Sequence, residues 1–260
     1  VRLDSEQFEP RAGLFKDVID EITWTFTDRR GWIAQVVLNL VIGLPVVIWL
    51  QWSDRLSDHV QVAGLATSIG SWVLASTLNT DQLGYDADRA AASLEVGDRA
   101  SRILFLKNVA IALILAPIIF GISIVLRLVI HNAHDSIGLA LVRDVGSITI
   151  WLGFGSLLSV LLPFRPIGWR QRLADRSSWP RFALCVTVPY LVLYGLARFW
   201  HLPEVAIANA LFHSPHHHEW GYSLILMGWG LATWGVGLLL AELYADREAK
   251  RIVRHLRHQR

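Results

Sequence analysis

Six stretches of this chain, 31–52, 60–78, 103–126, 145–163, 182–200 and 220–244, are so continuous in apolar residues that few folds remain open. A helix of roughly 20 such residues spans the ~30 Å hydrocarbon core of a bilayer. Lipid offers the backbone no hydrogen-bond partners, so a spanning segment must be a helix or a strand of a closed barrel. Barrel strands alternate apolar and polar positions over about 10 residues, and these runs do not alternate. The pattern predicts an all-α polytopic membrane protein with six transmembrane helices. Composition agrees: 53% of residues are hydrophobic and 18% charged, against roughly 45–50% and about 25% in a soluble domain, so the surplus calls for lipid as a second solvent. Pro45, Ser68, Pro117 and Pro189 interrupt four of the runs, which is tolerated where neighbouring helices satisfy the freed backbone groups.

The chain divides into a charged segment, 1–30, a transmembrane domain, 31–244, and a basic tail, 245–260. Segment 1–30 lacks the short apolar core and small-residue cleavage site of a signal peptide, so the first run is expected to remain a membrane helix. All but four of the 24 lysines and arginines fall in 1–30, around the second-to-third and fourth-to-fifth connections, or in the tail; Arg55, Arg127, Arg143 and Arg198 flank the other connections. Basic flanks are retained on the cytoplasmic side. The split predicts a multi-pass protein of the cell membrane with both termini cytoplasmic. The net charge of +2 is then a topology signal and gives no reason to invoke nucleic acid. Cys185 is the single cysteine, so no internal disulfide is possible.

Three segments outside the runs have shapes of their own. Phe15, Val18, Ile19, Ile22 and Phe26 recur every three or four residues, the apolar stripe of a helix lying at the membrane interface. Its opposite face carries Lys16, Asp17, Asp20 and Glu21, and Trp24 suits the headgroup layer. Residues 79–102 are the most polar internal stretch and contain a short helix, 87–95, ended by Gly97. Bundle connections need only about 2–8 residues, so a longer polar element is expected to meet a partner. The last outer connection, 201–219, contains an apolar run, 205–212, too short to span, which reads as a re-entrant or interfacial helix.

The sequence has no G-x-x-x-x-G-K-[ST], G-x-S-x-G, H-E-x-x-H or C-x-x-C, so the chain alone is not expected to hydrolyse ATP or to be an enzyme. His201, His213, His216, His217 and His218, with Glu219, crowd one outer connection. They could hold zinc or copper, but adjacent histidines cannot all face one ion from a helix. A solvated, pH-sensitive cap is the preferred reading, with no metal site. Trp32, Trp52, Trp179, Trp200 and Trp220 sit at run ends as an interfacial belt; Trp72, Trp151, Trp229 and Trp234 lie inside runs and are candidates for an aromatic substrate path. Arg127, Arg143, Asp144 and Glu242 lie near predicted span ends, where long side chains reach water, so no proton relay is expected. Gly153, Gly155, Ser156, Gly228, Gly230, Gly235 and Gly237 permit close helix approach, within the chain or against a partner.

The layout of interfacial helix, polar loop after the second run and apolar outer helix before the sixth resembles the permease subunits of ABC exporters of the type 2 class. N-T-D-Q-L-G-Y-D at 79–86, followed by E-x-G-D-R-A-S-R-I-L-F-L-K-N-V-A at 95–110, is similar to the family's loop in which a coupling helix leads into a lysine-containing start of the third span. G-F-G-S-L-L-S-V-L-L-P-F-R-P at 153–166 is similar to its fourth span ending. The resemblance implies a half-transporter that pairs with a second permease copy or a homologous chain and with two ABC ATPase subunits. It implies no cofactor in this chain, with ATP and Mg held by the ATPases. It makes 14–26 an elbow helix, assigns coupling to Asp86, Ala87, Asp88, Arg89, Leu94 and Glu95, and assigns an outer gate to Val205, Ile207, Leu211, Phe212 and His213. The histidine-rich cap and the twelve tryptophans depart from that pattern and leave the substrate open.

Two other classes compete with this reading. One is a polytopic membrane enzyme or metal-binding protein using the outer histidines with Glu204 and Glu219. The other is a scaffold or sensor whose basic tail recruits a partner or anionic lipid.

Overall fold

The computed structural model describes residues 13–27, 82–129, 136–163 and 219–258, with isolated positions at 37, 41, 45, 187–188, 206–207 and 210. Among the described residues the secondary structure is helical throughout: α1 (Leu14–Thr27), α2 (Gln82–Tyr85), α3 (Ala87–Val96), α4 (Ala100–Val129), α5 (Ile137–Leu161) and α6 (Glu219–His258). Ala100–Leu128, Ile137–Leu161 and Trp220–Arg257 are long and apolar enough to cross a membrane. Apart from those isolated positions, the predicted spans 31–52, 60–78 and 182–200 lie outside the described residues.

Helix ends follow local chemistry. Gly97 takes the left-handed conformation (φ 93°) that ends α3. Its N–H donates to the Leu94 carbonyl and the Asp98 N–H to the Ser93 carbonyl, the paired bonds of a Schellman motif. Ser136 caps α5 by accepting from the Leu139 N–H at 3.2 Å, which starts this helix at Ile137 where the hydropathy pattern begins the span at 145. The earlier start brings Arg143 and Asp144 inside a helix, and partners on other helices make that possible. The Arg143 Nε donates to Ser223 Oγ at 3.1 Å, and its guanidinium lies 5.9 Å from the Tyr222 ring. The basic tail is helical to His258, and the helical backbone of α6 breaks at Glu248, where two helices meet at a kink.

Neighbours along α5 and α6 advance together. Trp220 meets Gly138, Leu226 meets Gly146 and Thr233 meets Gly153, so the two helices are parallel. Glycine makes the approach possible: a Cβ on Gly153 would lie 2.6 Å from the Thr233 carbonyl oxygen, and one on Gly230 or Gly237 would strike the backbone of Gly146 or Gly153. Gly228 and Gly235 meet nothing within 4 Å, so the small residues divide between an internal seam and an outward face. Helix α4 runs the opposite way. Its start packs with the late turns of α5 and α6 through Leu104, Val160, Ala241 and Ala245, and Ser123, near its end, meets Asp144, near the start of α5.

The start of α4, the last turns of α6, α3 and α1 share one end of the bundle. Arg89, Arg99, Arg102, Lys107 and the arginines of late α6 gather there, and Arg127 and Arg143 lie toward the other. Among the described residues, this is the segregation expected from the charge pattern.

Candidate functional site

The shared end is organised around a lysine. Lys107 lies in the second turn of α4, where its apolar surroundings demand compensation for a positive charge. Lys107 Nζ donates to Glu21 Oε1 of α1 at 2.9 Å and to Asp86 Oδ2, just before α3, at 3.0 Å. The three residues are 4%, 5% and 6% exposed, respectively. Arg89 of α3 closes the group from outside, donating to Glu21 Oε2 at 2.7 Å, while its distance to Asp86 Oδ2 is 3.9 Å. Among the described residues, two cations and two carboxylates therefore meet here. The Trp24 ring lies 5.7 Å from the Arg89 guanidinium and 5.6 Å from Lys107 Nζ, within the range in which an aromatic face attracts a cation. Arg102 adds a third link to α1, donating to Asp17 Oδ2 at 3.0 Å.

Beneath this cluster lies a neutral polar tier. Gln82 Nε2 donates to Asn108 Oδ1 at 2.6 Å, and Asn108 Nδ2 donates to Ser156 Oγ at 2.7 Å. The Gln82 N–H donates to Ser159 Oγ at 2.7 Å. Both serines donate onward to carbonyls of their own helix, so the tier fastens α2 to α4 and α5 with buried hydrogen bonds. On the other side, Glu242 of α6 accepts from the Ser101 N–H at 2.6 Å. A carboxylate at the first turn of α4 satisfies an N–H that the helix leaves open.

Helix α3 lies across this end. Ala87, Ala90 and Ala91 are buried against Leu83 and, from late α6, Ile252 and Leu256. Arg257 of α6 pairs with Glu95. The outward side of α3 presents Asp88, Ala92, Glu95 and Val96 to solvent. The residues assigned to coupling thus divide: Asp86 and Ala87 are interior, Leu94 is partly buried, and Asp88, Arg89 and Glu95 are exposed.

The elbow residues also divide. Phe15 is 79% exposed and Ile19 is exposed, whereas Val18 is buried and Ile22 half-buried; the Phe26 side chain lies outside the described residues. The acidic face expected in solvent is turned partly inward, because Asp17 and Glu21 find cations on α3 and α4 while Lys16 and Asp20 stay outside. Of the outer-gate residues, Ile207 is helical and exposed; Val205, Leu211, Phe212 and His213 lie outside the described residues, as do His201, His216, His217 and His218. Among the described residues no group of three or more metal-ligating side chains occurs.

Sequence reasoning placed Glu21 on a solvated face, Lys107 among basic flanks, and did not single out Gln82 or Asn108. The signal that could have found the site is Lys107–Asn108 inside an apolar run, since polar residues at membrane depth require partners. Asp144 is a second correction. It is 1% exposed, and its short side chain does not reach water as a residue near a span end would; the Ser123 hydroxyl donates to Asp144 Oδ2 instead. Trp234 stacks on Phe105 at 5.5 Å, and Trp151 belongs to the α4–α5 core, so two of the tryptophans considered for a substrate path have packing roles.

No family model matches the sequence, and no curated protein and no solved structure matches it.

Proposed function

We propose that this chain is the membrane-spanning permease subunit of an ATP-driven exporter of the ABC type 2 class, working with a second permease chain and two separate ATPase subunits. The observation that carries the reading is the fastening of α3. A short helix with a solvent-exposed outer side is held by Lys107, Asp86, Glu21 and Arg89 to the start of α4 and to α1. A force applied to α3 would reach the spans as a rigid-body shift rather than being lost in a flexible loop, the kind of packed rearrangement that switches conformations. The loop wording at 79–86 and 95–110 supports the same reading, because Asp86 and Lys107 of the cluster belong to it. In this reading the shared end faces the cytoplasm, and the ATPase meets Asp88, Ala92, Glu95 and Val96. These 260 residues contain no phosphate loop, so in this reading ATP is bound outside them.

Purification of the tagged chain from its native membrane tests this. An ATPase subunit with a phosphate loop is expected to accompany it, and Ala92→Trp, which enlarges an exposed side chain without entering the core, is expected to weaken that association. Purification with no ATPase under conditions that keep the chain folded refutes the reading.

A further inference from the structure

At the shared end α5 stops at Leu161, whereas α6 continues to His258 with its helical backbone broken at Glu248. The step between the two helices holds a cavity of about 80 Å³. The end of α5 gives it an apolar lining with Leu161 and Leu162, and α6 contributes Tyr244, Arg251, Ile252 and His255. The cavity lies where α5 ends, which is the level at which an apolar span meets lipid headgroups.

Arg251 is the informative residue. Arg89, Arg102, Arg143 and Arg257 each donate to a named partner. The nearest carboxylate to Arg251 among the described residues is Glu248 at 3.9 Å, outside hydrogen-bond reach, and the Arg251 side chain is 60% exposed. His255 is held beside it, its Nδ1 at 2.8 Å from the Arg251 carbonyl oxygen; a carbonyl only accepts, so Nδ1 carries the proton. An uncommitted planar fork of donors favours phosphate oxygens, and the adjoining apolar wall suits a hydrocarbon chain.

We infer that this cavity binds the phosphate of an anionic phospholipid, with Arg251 on the phosphate and an acyl chain along Leu161 and Leu162. A free phosphate ion has the same charge but gains nothing from the apolar wall. The inference requires a membrane around the helices and is independent of the exporter reading.

The test uses the full chain, delipidated in mild detergent and titrated with phosphatidylglycerol, phosphatidylcholine or inorganic phosphate, with bound lipid counted by native mass spectrometry. Phosphatidylglycerol is expected to bind about tenfold more tightly than phosphatidylcholine, and Arg251→Gln to remove that preference, tenfold being the factor that ~1.4 kcal/mol carries. Arg254→Gln, an equal loss of charge outside the cavity lining, is expected to preserve it. A phenylalanine at Leu162, which fills the space without changing charge, is expected to weaken phosphatidylglycerol as Arg251→Gln does. Equal binding of the two lipids overturns the inference, as does an Arg254→Gln loss as large as that of Arg251→Gln. Displacement of phosphatidylglycerol by equimolar inorganic phosphate overturns it too, by assigning the site to the free ion.

Discussion

Lys107→Met removes one charge at the centre of the buried cluster and little volume. Lys107 makes two charge-assisted hydrogen bonds, at 2.9 and 3.0 Å. After its loss Glu21 keeps Arg89 at 2.7 Å, whereas Asp86 loses its 3.0 Å bond and has the same guanidinium at 3.9 Å. Asp86, 6% exposed, is therefore the buried carboxylate that loses its bonded ammonium. Breaking a buried pair by removing one partner costs about 3–5 kcal/mol; the residual field of Arg89 places this case near the lower limit, about 3 kcal/mol. The same reasoning fixes the rescue. Asp86→Asn in the Lys107→Met background leaves Glu21 and Arg89 as a balanced pair, so the double variant is expected to be more stable than the single one, with a coupling of about 1–3 kcal/mol. Unfolding in mixed micelles, followed by the fluorescence of the twelve tryptophans, measures all three free energies. A Lys107→Met loss below about 1 kcal/mol, the worth of an exposed pair, refutes the reasoning. So does a double variant whose loss equals the sum of the single losses.

Gly153→Ala puts a methyl 2.6 Å from the Thr233 carbonyl oxygen and is expected to cost about 1–3 kcal/mol by overpacking, whereas Gly228→Ala meets open space and gains up to about 1 kcal/mol from helix propensity; thermal melts of the two variants check the contrast. Ser123→Ala strips the buried Asp144 carboxyl of its hydroxyl partner and is expected to cost about 1–3 kcal/mol, read in the same unfolding assay. With Cys185 replaced by serine, single cysteines introduced at Asp88 and Arg254 are expected to react with an impermeant maleimide only from the cytoplasmic side, and one at Arg127 only from outside; labelling of all three from one side contradicts the antiparallel course of α4 and α6.

Much of the helical architecture was legible because each clue acts over a few residues. The runs at 103–126 and 220–244 predict helices because a backbone in lipid must bond to itself, and both fall inside α4 and α6. The helix at 87–95 and its stop at Gly97 were readable since glycine takes positive φ without a Cβ penalty. The start of α5 was not, because hydropathy counts Arg143 and Asp144 against a span, while their partners Ser223 and Ser123 lie on other helices.

By itself, then, the sequence determined that this chain makes long apolar helices, where the short helix at 87–95 stops, and how the positive charge is segregated; solvation and backbone sterics decide those matters locally. Only the tertiary structure decided that Glu21 turns inward, that Lys107 and Asp86 meet across 21 positions, and that Gly153 and Gly237 form a seam while Gly235 faces out. Carboxylates and glycines read alike in a sequence whichever way they face. What distinguishes them is the charge or the backbone that another helix brings opposite.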